Sequence, residues 1–469
     1  MLNISGTEIL EITNGKLVKG NINFIVNSIS LDTRTMKKAD FFIPLEGERF
    51  DGHMFIPDAY KKGAIGVLCE IDKLTKVKSA FKSKGFNDIP DDLPLIRVED
   101  TLRSLGYIAG FYRRRFKIRA IAITGSNGKT TTKELIYSLL LTKYNKKEIL
   151  YTEKNFNNEI GVPQTIFKLT PQIKIFVAEL GINHIGEMQR LAAMVSPHIG
   201  VITNIGDTHL EFLKNNKIVA KAKAELIPYI KELLIINFDD TYYNYFLNLA
   251  RTPVKAFSLN TNINLENVNH FDEYKDLGLN GFDIIYKGER FKYHLVGEHN
   301  LYNLLAALTV VNEFDIPIKK AKKVIENFKP VVNRGNIIRR KNYIIYFDAY
   351  NANPSSTKAM LYFIHNLDIP KKIAILGDMM ELGKKAMKYH TEVLQYAENL
   401  NINRILTFGD IYKAVYRERN VDKDKIEAFT DLNKIAERAK ELIKEYGPEL
   451  IILIKGSRKM EMERFLNRI

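Results

Sequence analysis

The 469-residue chain has a single cysteine, Cys69. That excludes an intramolecular disulfide and any metal site built from a cysteine cluster. No apolar run is long enough to span a bilayer, and the chain does not begin with a basic-then-apolar signal segment. The expectation is therefore a cytoplasmic protein with no membrane insertion. Internal repeats and low-complexity linkers are also missing. At 45% apolar and 27% charged residues, disorder and fibrous folds are excluded. Lys and Arg outnumber Asp and Glu by 70 to 55, a net charge of +15. This excess suits phosphate-rich partners, although a solvated basic surface is its commoner meaning.

A chain of this length suggests about three domains. Residues 1–115 mix short apolar runs with glycine-punctuated loops. Phe41-Phe42-Ile43-Pro44-Leu45 and Ile65-Gly66-Val67-Leu68 read as buried strands, and Thr101 to about Phe111 reads as a helix. The basic cluster Arg113-Arg114-Arg115 reads as a solvated segment at the first boundary. Residues 116–332 alternate strand, loop and helix. The strand candidates are Ile118–Thr124, Ile173–Glu179, Ile199–Asn204 and Leu233–Asn237, the pattern of a parallel sheet wrapped by helices. Phe282–Tyr286 and Arg290–Leu295, joined across Lys287-Gly288-Glu289, predict a hairpin appended to that sheet. Residues 333–469 carry strand candidates at Tyr343–Asp348, Lys372–Leu376, Arg404–Phe408 and Leu450–Ile454, as in a Rossmann-like domain. The expected fold class is thus α/β in three domains: a small N-terminal α/β domain, a central parallel-sheet domain of the P-loop type with its hairpin, and the Rossmann-like domain.

The sharpest local signal is Ile121-Ala122-Ile123-Thr124-Gly125-Ser126-Asn127-Gly128-Lys129-Thr130-Thr131-Thr132. An apolar strand enters a glycine turn, then Lys-Thr, then a helix predicted from Lys133 to about Leu141. Gly125 and Gly128 allow backbone N–H groups, with those of Ser126, Asn127 and Thr131, to wrap phosphate oxygens. The helix start adds partial positive charge. Lys129 reaches the terminal phosphates of a nucleotide, and the Thr130 hydroxyl suits Mg²⁺. Two residues rather than the usual four separate the glycines.

Glu179 ends one strand candidate, and His209 follows another after a short loop. Both fall at the sheet edge where the phosphate loop lies. A carboxylate there suits Mg²⁺; with an imidazole beside it Mn²⁺ could substitute. The alternatives are a solvent-facing strand end for Glu179 and a capping or core histidine for His209. Asn215–Lys231 reads as a helix with Val219, Ala222, Leu226, Ile227 and Ile230 on one face, and Lys223 lies inside that stripe. A buried-face lysine is uncommon, the alternative being a marginal lysine reaching solvent. Asn300 and Asn303 share a helix face, with Leu304 and Leu308 opposite. Their amides suit an adenine edge, unless Asn300 merely caps the helix. Lys455-Gly456-Ser457-Arg458 follows the last strand and reads equally as an anion contact or an ordinary basic loop.

Several motifs in one order, from the glycine turn to Lys455-Gly456-Ser457-Arg458, resemble those of the Mur ligases, the ATP-dependent amide-forming enzymes of peptidoglycan precursor synthesis. They include Asn157-Asn158-Glu159-Ile160-Gly161, Thr203-Asn204-Ile205-Gly206-Asp207-Thr208-His209, Gly297-Glu298-His299-Asn300, Tyr350-Asn351-Ala352-Asn353-Pro354 and Leu376-Gly377-Asp378-Met379-Met380-Glu381-Leu382-Gly383. Three of them are most like the family member that joins D-alanyl-D-alanine to UDP-N-acetylmuramoyl-tripeptide. One departure is Phe347 before Asp348, where the family often has a second acid.

The resemblance implies a role for each matched position. Thr130, Glu179, His209 and Lys223 would hold magnesium, Lys223 as a carbamate. Lys129, Lys223 and His209 would form the catalytic group. Asn300, Asn303, Arg334 and Asp348 would meet ATP. Asn157 and Asn158 would meet the nucleotide-sugar peptide, and Tyr350, Asn351 and Asn353 the incoming dipeptide. Thr33, Arg34 and Phe50 would bind the uridine diphosphate end, where an Arg and a hydroxyl suit a diphosphate and a ring packs on base or sugar. The implied partners are UDP-N-acetylmuramoyl-tripeptide, D-Ala-D-Ala and ATP, with no nucleic acid, and a monomer is expected. Two other readings stand beside this one: a related ligase with a different amine or carrier, and a nucleic-acid-binding NTPase using the basic cluster.

Overall fold

The computed structural model describes residues 1–47, 50–208 and 210–469. It divides into two compact units. The first is Met1–Ala120 with Leu150–Ala178 and Gln189–Ser196; the second is Ile121–Ile149 with Glu179–Met188 and Pro197–Ile469.

In the first unit a five-stranded sheet runs in the order Lys16–Lys19, Leu95–Val98, Gly66–Glu70, Phe41–Phe42, Ile29–Ser30. Only its first pair is antiparallel. Phe42, Val67, Cys69, Phe81 and Leu95 fill the core beneath it. The strand expected over residues 41–45 stops at Phe42, because Pro44 has no N–H to extend a ladder. The helix Thr101–Arg114 opens on Asp100, whose carboxylate accepts the Arg103 N–H. It runs a turn past the expected end; in the basic cluster that closes it Arg114 and Arg115 are exposed as expected, but Arg113 is not. Arg113 is 3% exposed. Its guanidinium donates to the carbonyls of Val195, Phe116 and Ile118 at 2.9–3.1 Å. Three acceptors that would otherwise be orphaned fix the fork, and burial lowers its pKa to about 10.

The second unit is built on parallel strands in the order Val268–Asn269, Val254–Phe257, Leu233–Asn237, Ile199–Ile202, Arg119–Thr124. Leu233–Asn237, Ile199–Ile202 and Arg119–Thr124 are nearly continuous apolar runs, as strands covered on both faces require. The helix expected over residues 215–231 is shorter. Asn215 caps it, it spans Asn216–Ala224, and a 3₁₀ turn at Ile227–Tyr229 replaces the rest. Pro228 breaks it there: its ring lacks an N–H and clashes with the carbonyl four residues back. The predicted hairpin exists as Phe282–Tyr286 paired with Glu289–Tyr293. Its turn is tighter than expected: Lys287 and Gly288 alone form it, with φ of 50° and 76°, the left-handed pair that a two-residue turn needs. The hairpin is not appended to the parallel sheet. With Glu273–Asp276 it makes a separate three-stranded sheet.

The C-terminal sheet has the order Asn336–Arg339, Tyr343–Asp348, Leu450–Lys455, Lys371–Gly377, Arg404–Phe408, Ile426–Phe429. All neighbours are parallel except the first pair. Its four inner strands are those expected from sequence. Ile345, Phe347, Ile375, Leu406, Ile452 and Ile454 form the core below them.

Candidate active site

The strand Arg119–Thr124 delivers the chain into the glycine turn, and the helix Lys129–Leu140 leaves it, four residues earlier than predicted. Both glycines are obligatory. A Cβ on Gly125 (φ 150°) would lie 1.8 Å from Thr203 Oγ1. One on Gly128 (φ 81°) would lie 2.1 Å from Asn303 Oδ1. Gly128 is the helix N-cap and supplies no side-chain cap, so the first-turn N–H groups remain available to an anion.

The turn is pinned from below by residues 203–208. Ser126 N–H donates to the Asn204 carbonyl and Asn127 N–H to Asn204 Oδ1, both at 2.9 Å. Thr203 Oγ1 donates to the Asn127 carbonyl at 2.6 Å. Gly206 N–H donates to Ser126 Oγ at 2.8 Å. Thr203 and Asn204 carried no individual role in the sequence reading, since a threonine and an asparagine after a strand look like ordinary turn residues.

Two lysines converge on one carbonyl. Lys129 Nζ donates to the Gly125 carbonyl at 2.6 Å and to that of Ser126 at 3.2 Å. Lys223 Nζ donates to the same Gly125 carbonyl at 3.0 Å. Lys223 is 1% exposed, so the alternative of a lysine reaching solvent is excluded. Burial first, and the neighbouring Lys129 charge second, drive its pKa well below the usual lysine value. Burial likewise lowers Lys129 to about 8, opposed by Glu179 and assisted by Arg334.

Thr130 Oγ1 donates to Glu179 Oε1 at 3.1 Å, and both side chains are buried. Leu180 N–H bonds the Ile123 carbonyl, which sets the end of the Glu179 strand beside the turn. The donor set is hard oxygen, which fits Mg²⁺. No group of three or more His, Cys, Asp and Glu side chains assembles a metal site among the described residues. A full coordination shell here therefore needs ligands from elsewhere. His209 lies outside the described residues. Lys133 was missed by sequence reading: it is fully buried, 2.9 Å from Glu134 Oε1 and 3.8 Å from Glu179 Oε2. Its position three residues beyond Thr130, on the same helix face, was the available signal.

Beside the turn opens a cavity of about 370 Å³, lined by Asn127, Gly128, Asn204, Asn237, Tyr302 and Asn303 among others. Asn303 Oδ1 accepts from Thr132 Oγ1, and its Nδ2 donates to Asn300 Oδ1. Asn300 is not the cap of its helix; Gly297 holds that position, and Asn300 Nδ2 binds the Val296 carbonyl. Nor do the two asparagines occupy a distinct polar face, because the helix Glu298–Asn312 is buried on nearly every side. Tyr302 donates to Asp239 Oδ2 at 3.0 Å.

The C-terminal residues reach the same region. The Arg334 guanidinium stacks 3.9 Å over the Tyr350 ring, and its Nε is buried with no hydrogen-bond partner. Asp348 Oδ2 accepts from Lys455 Nζ at 2.6 Å, and Lys455 also binds the Asn351 carbonyl at 3.2 Å. Lys455 is 2% exposed, so the basic-loop reading fails for it and holds only for Arg458, which pairs with Glu463. Lys455→Met leaves Asp348 unpaired, and thermal unfolding should show a loss of about 3 kcal/mol. Asn353 is buried; its Nδ2 donates to Asn127 Oδ1 at 2.9 Å. The remaining candidates lie in the first unit. Arg34 forks onto Asp32, pulling that carboxyl to about 2. The Thr33 carbonyl accepts from Lys62, and Phe50 is 72% exposed. Asn158 Oδ1 caps the N–H groups of Ile160 and Gly161, with Asn157 half-buried beside it.

A phosphate-shaped turn between a parallel sheet and a helix, opening on a cavity of nucleotide size, defines a nucleotide-binding α/β enzyme. Comparison with known proteins narrows the class: the chain belongs to the Mur ligase family. Residues 25–113 match the family's catalytic domain, 123–311 its middle domain and 333–458 its glutamate ligase domain. The chain is 30% identical over 464 residues, 96% of each protein, to the UDP-N-acetylmuramoyl-tripeptide–D-alanyl-D-alanine ligase of Bacillus subtilis. It superposes on the crystal structure of MurF from Acinetobacter baumannii with a TM-score of 0.85 at 25% identity, covering 99% of this chain and 98% of that one. The corresponding values for the MurF ligase from Thermotoga maritima in complex with ADP are 0.77, 25%, 94% and 96%. The three-domain α/β fold is that of the family.

Proposed function

We propose that this chain joins D-alanyl-D-alanine to UDP-N-acetylmuramoyl-tripeptide at the expense of ATP, as the names of its relatives describe. The observation that carries the reading is the glycine turn, with Lys129 across its mouth and Thr130 on Glu179, in a chain that matches such ligases over nearly its whole length.

A carboxylate and an amine do not condense in water, because an oxide anion is a poor leaving group. A carboxylate oxygen of the tripeptide attacks the γ-phosphorus of ATP and ADP leaves. The dipeptide amine then attacks the acyl carbon, and phosphate departs with the original carboxylate oxygen as the amine loses a proton. Lys129 neutralises charge on the transferred group, and the backbone N–H groups of residues 128–131 hold the phosphates, since those of Ser126 and Asn127 are committed to Asn204. Thr130, Glu179, His209 and Lys223 are the residues assigned to Mg²⁺, or Mn²⁺ in its place; the ion would supply charge neutralisation at the phosphates. Lys223 enters that set as a carbamate. Its depressed pKa favours the neutral amine, which adds to CO₂ with loss of one proton and yields an anion where the lysine itself offers none.

Asn300 and Asn303 are assigned to the adenine side of the cavity, and Arg334 and Asp348 to the nucleotide from the C-terminal domain. Thr33, Arg34 and Phe50 serve the uridine diphosphate, and Asn157 and Asn158 the muramoyl peptide. Tyr350 and Asn351 serve the dipeptide, with Asn353 holding their turn. In this reading residues 1–115 bind the UDP substrate, 116–332 ATP, and 333–469 complete the ligase site. The protein works as a cytoplasmic monomer without nucleic acid.

The test is phosphate release by purified protein with ATP, Mg²⁺ and UDP-N-acetylmuramoyl-tripeptide. Stimulation by D-Ala-D-Ala and not by single amino acids supports the reading. Stimulation by another amine reassigns the substrate within the family, and stimulation only by RNA or DNA overturns it.

A further inference from the structure

The residue that reads as part of the phosphate loop is also the residue that touches the C-terminal domain. The backbone of Asn127 is fixed inside the central domain through its N–H to Asn204 and its carbonyl to Thr203. Its side-chain Oδ1 accepts from Asn353 Nδ2 at 2.9 Å. Asn353 is 5% exposed and caps the helix Pro354–Asn366. Its Oδ1 accepts the Ser356 N–H at 2.8 Å, and its own N–H donates to Ser356 Oγ at 3.3 Å. Both ends of the Asn353 carboxamide are therefore committed to protein groups, one to the cap and one to the turn.

The next side chain reinforces the junction. Ser355 Oγ accepts the Asp207 N–H and donates to Asp207 Oδ2, each at 3.1 Å. Asp207 belongs to the 203–208 stretch that pins the glycine turn. The first turn of one C-terminal helix thus holds both halves of the cradle, 226 residues from Asn127 in sequence.

We propose that Asn353 is a positioning residue that couples nucleotide occupancy of the glycine turn to docking of the C-terminal domain, by holding the Asn127 carboxamide. The inference rests on the nucleotide reading of that turn. Phosphate held by the neighbouring N–H groups of residues 128–131 restricts the Asn127 side chain to the orientation that Asn353 binds, so nucleotide favours docking. By linkage, docking tightens nucleotide to the same degree.

The helix cap and the coupling bond come from different atoms of Asn353, so they separate by substitution. Serine is an N-cap equal to asparagine but too short to reach Asn127. Asn353→Ser should keep the helix cap and lower the thermal midpoint by no more than about 3 °C. It should bind Mg·ADP about fivefold more weakly by calorimetry, the worth of one neutral hydrogen bond. The KM for ATP should rise by a similar factor. Asn127→Ala should show a similar loss, and the double variant should bind no more weakly than either single one, because both remove the same interaction. Unchanged ADP affinity in Asn353→Ser, or additive losses in the double variant, overturns the coupling while leaving the nucleotide site standing. Failure of the wild-type protein to bind Mg·ADP overturns the nucleotide reading itself, and the coupling with it.

Discussion

Lys223→Ala abolishes ligation, by about a thousandfold in kcat, while the protein stays folded. The expectation of an intact fold comes from the hydrogen bonds. The Gly125 carbonyl that Lys223 binds also receives Lys129 Nζ at 2.6 Å, so no buried acceptor is orphaned. Removing a buried amine that resists protonation also removes a desolvation cost. On the proposed reading the loss of activity arises because alanine offers nothing that can add CO₂ and become an anion at the Gly125 end of the turn. A small carboxylate such as formate or acetate, diffusing into the vacated space, should restore part of the rate. Lys221, on the exposed side of the same helix, should tolerate alanine with no such effect. Full activity of Lys223→Ala without added carboxylate contradicts the carbamate role.

Lys129→Met lowers kcat by a comparable factor, through different physics. The ammonium spans the turn, tied to the Gly125 and Ser126 carbonyls, at the mouth where a terminal phosphate would enter. On the proposed reading this lysine offsets charge that builds on the transferred phosphoryl group, and preorganised interactions of that kind are worth about 10²–10³ in rate. Methionine keeps the apolar stem and removes the charge with its two hydrogen bonds, while the Gly125 carbonyl keeps Lys223 as a donor. Circular dichroism and the thermal midpoint should match the wild type, and steady-state phosphate release should not. An unimpaired Met variant would place the phosphate elsewhere. Of the two substitutions, only Lys223→Ala should respond to added carboxylate, which distinguishes the roles of two lysines that share one carbonyl.

Local features of the site were legible in the sequence, and long-range ones were not. The glycine turn announced itself because strand, Gly-x-x-Gly-Lys-Thr and helix are contiguous, and each part has its own reason to be there. Lys223 stood out from helical periodicity even though the helix was drawn too long, because its stripe of Val219, Ala222 and Leu226 lies N-terminal to the Pro228 break. The inner strands of the C-terminal sheet, and Arg119–Thr124, Ile199–Ile202 and Leu233–Asn237 in the other, were visible as apolar runs; Val254–Phe257, interrupted by Lys255, was not. Edge strands such as Asn336–Arg339 and Ile426–Phe429 were not: half of each faces water, and their residues mix polar with apolar. The Arg113 burial was hidden because its acceptors include Val195, distant in sequence, and nothing local distinguishes it from a solvated arginine. The bond from Asn353 to Asn127 was invisible for the same reason. An asparagine before a proline and a helix reads as a cap, which it is, and the second bond has no local signature.

The central claim is that an acid group is made reactive by taking up the phosphoryl group held at Lys129. Oxygen transfer tests it most directly. The terminal carboxylate of UDP-N-acetylmuramoyl-tripeptide is labelled with ¹⁸O, the purified protein turns over with ATP, Mg²⁺ and D-Ala-D-Ala, and the released phosphate is analysed by mass spectrometry. One carboxylate oxygen leaves with each phosphate in this account, so every phosphate released should carry a single ¹⁸O. Phosphate free of label, formed at the same rate as the amide, would contradict it.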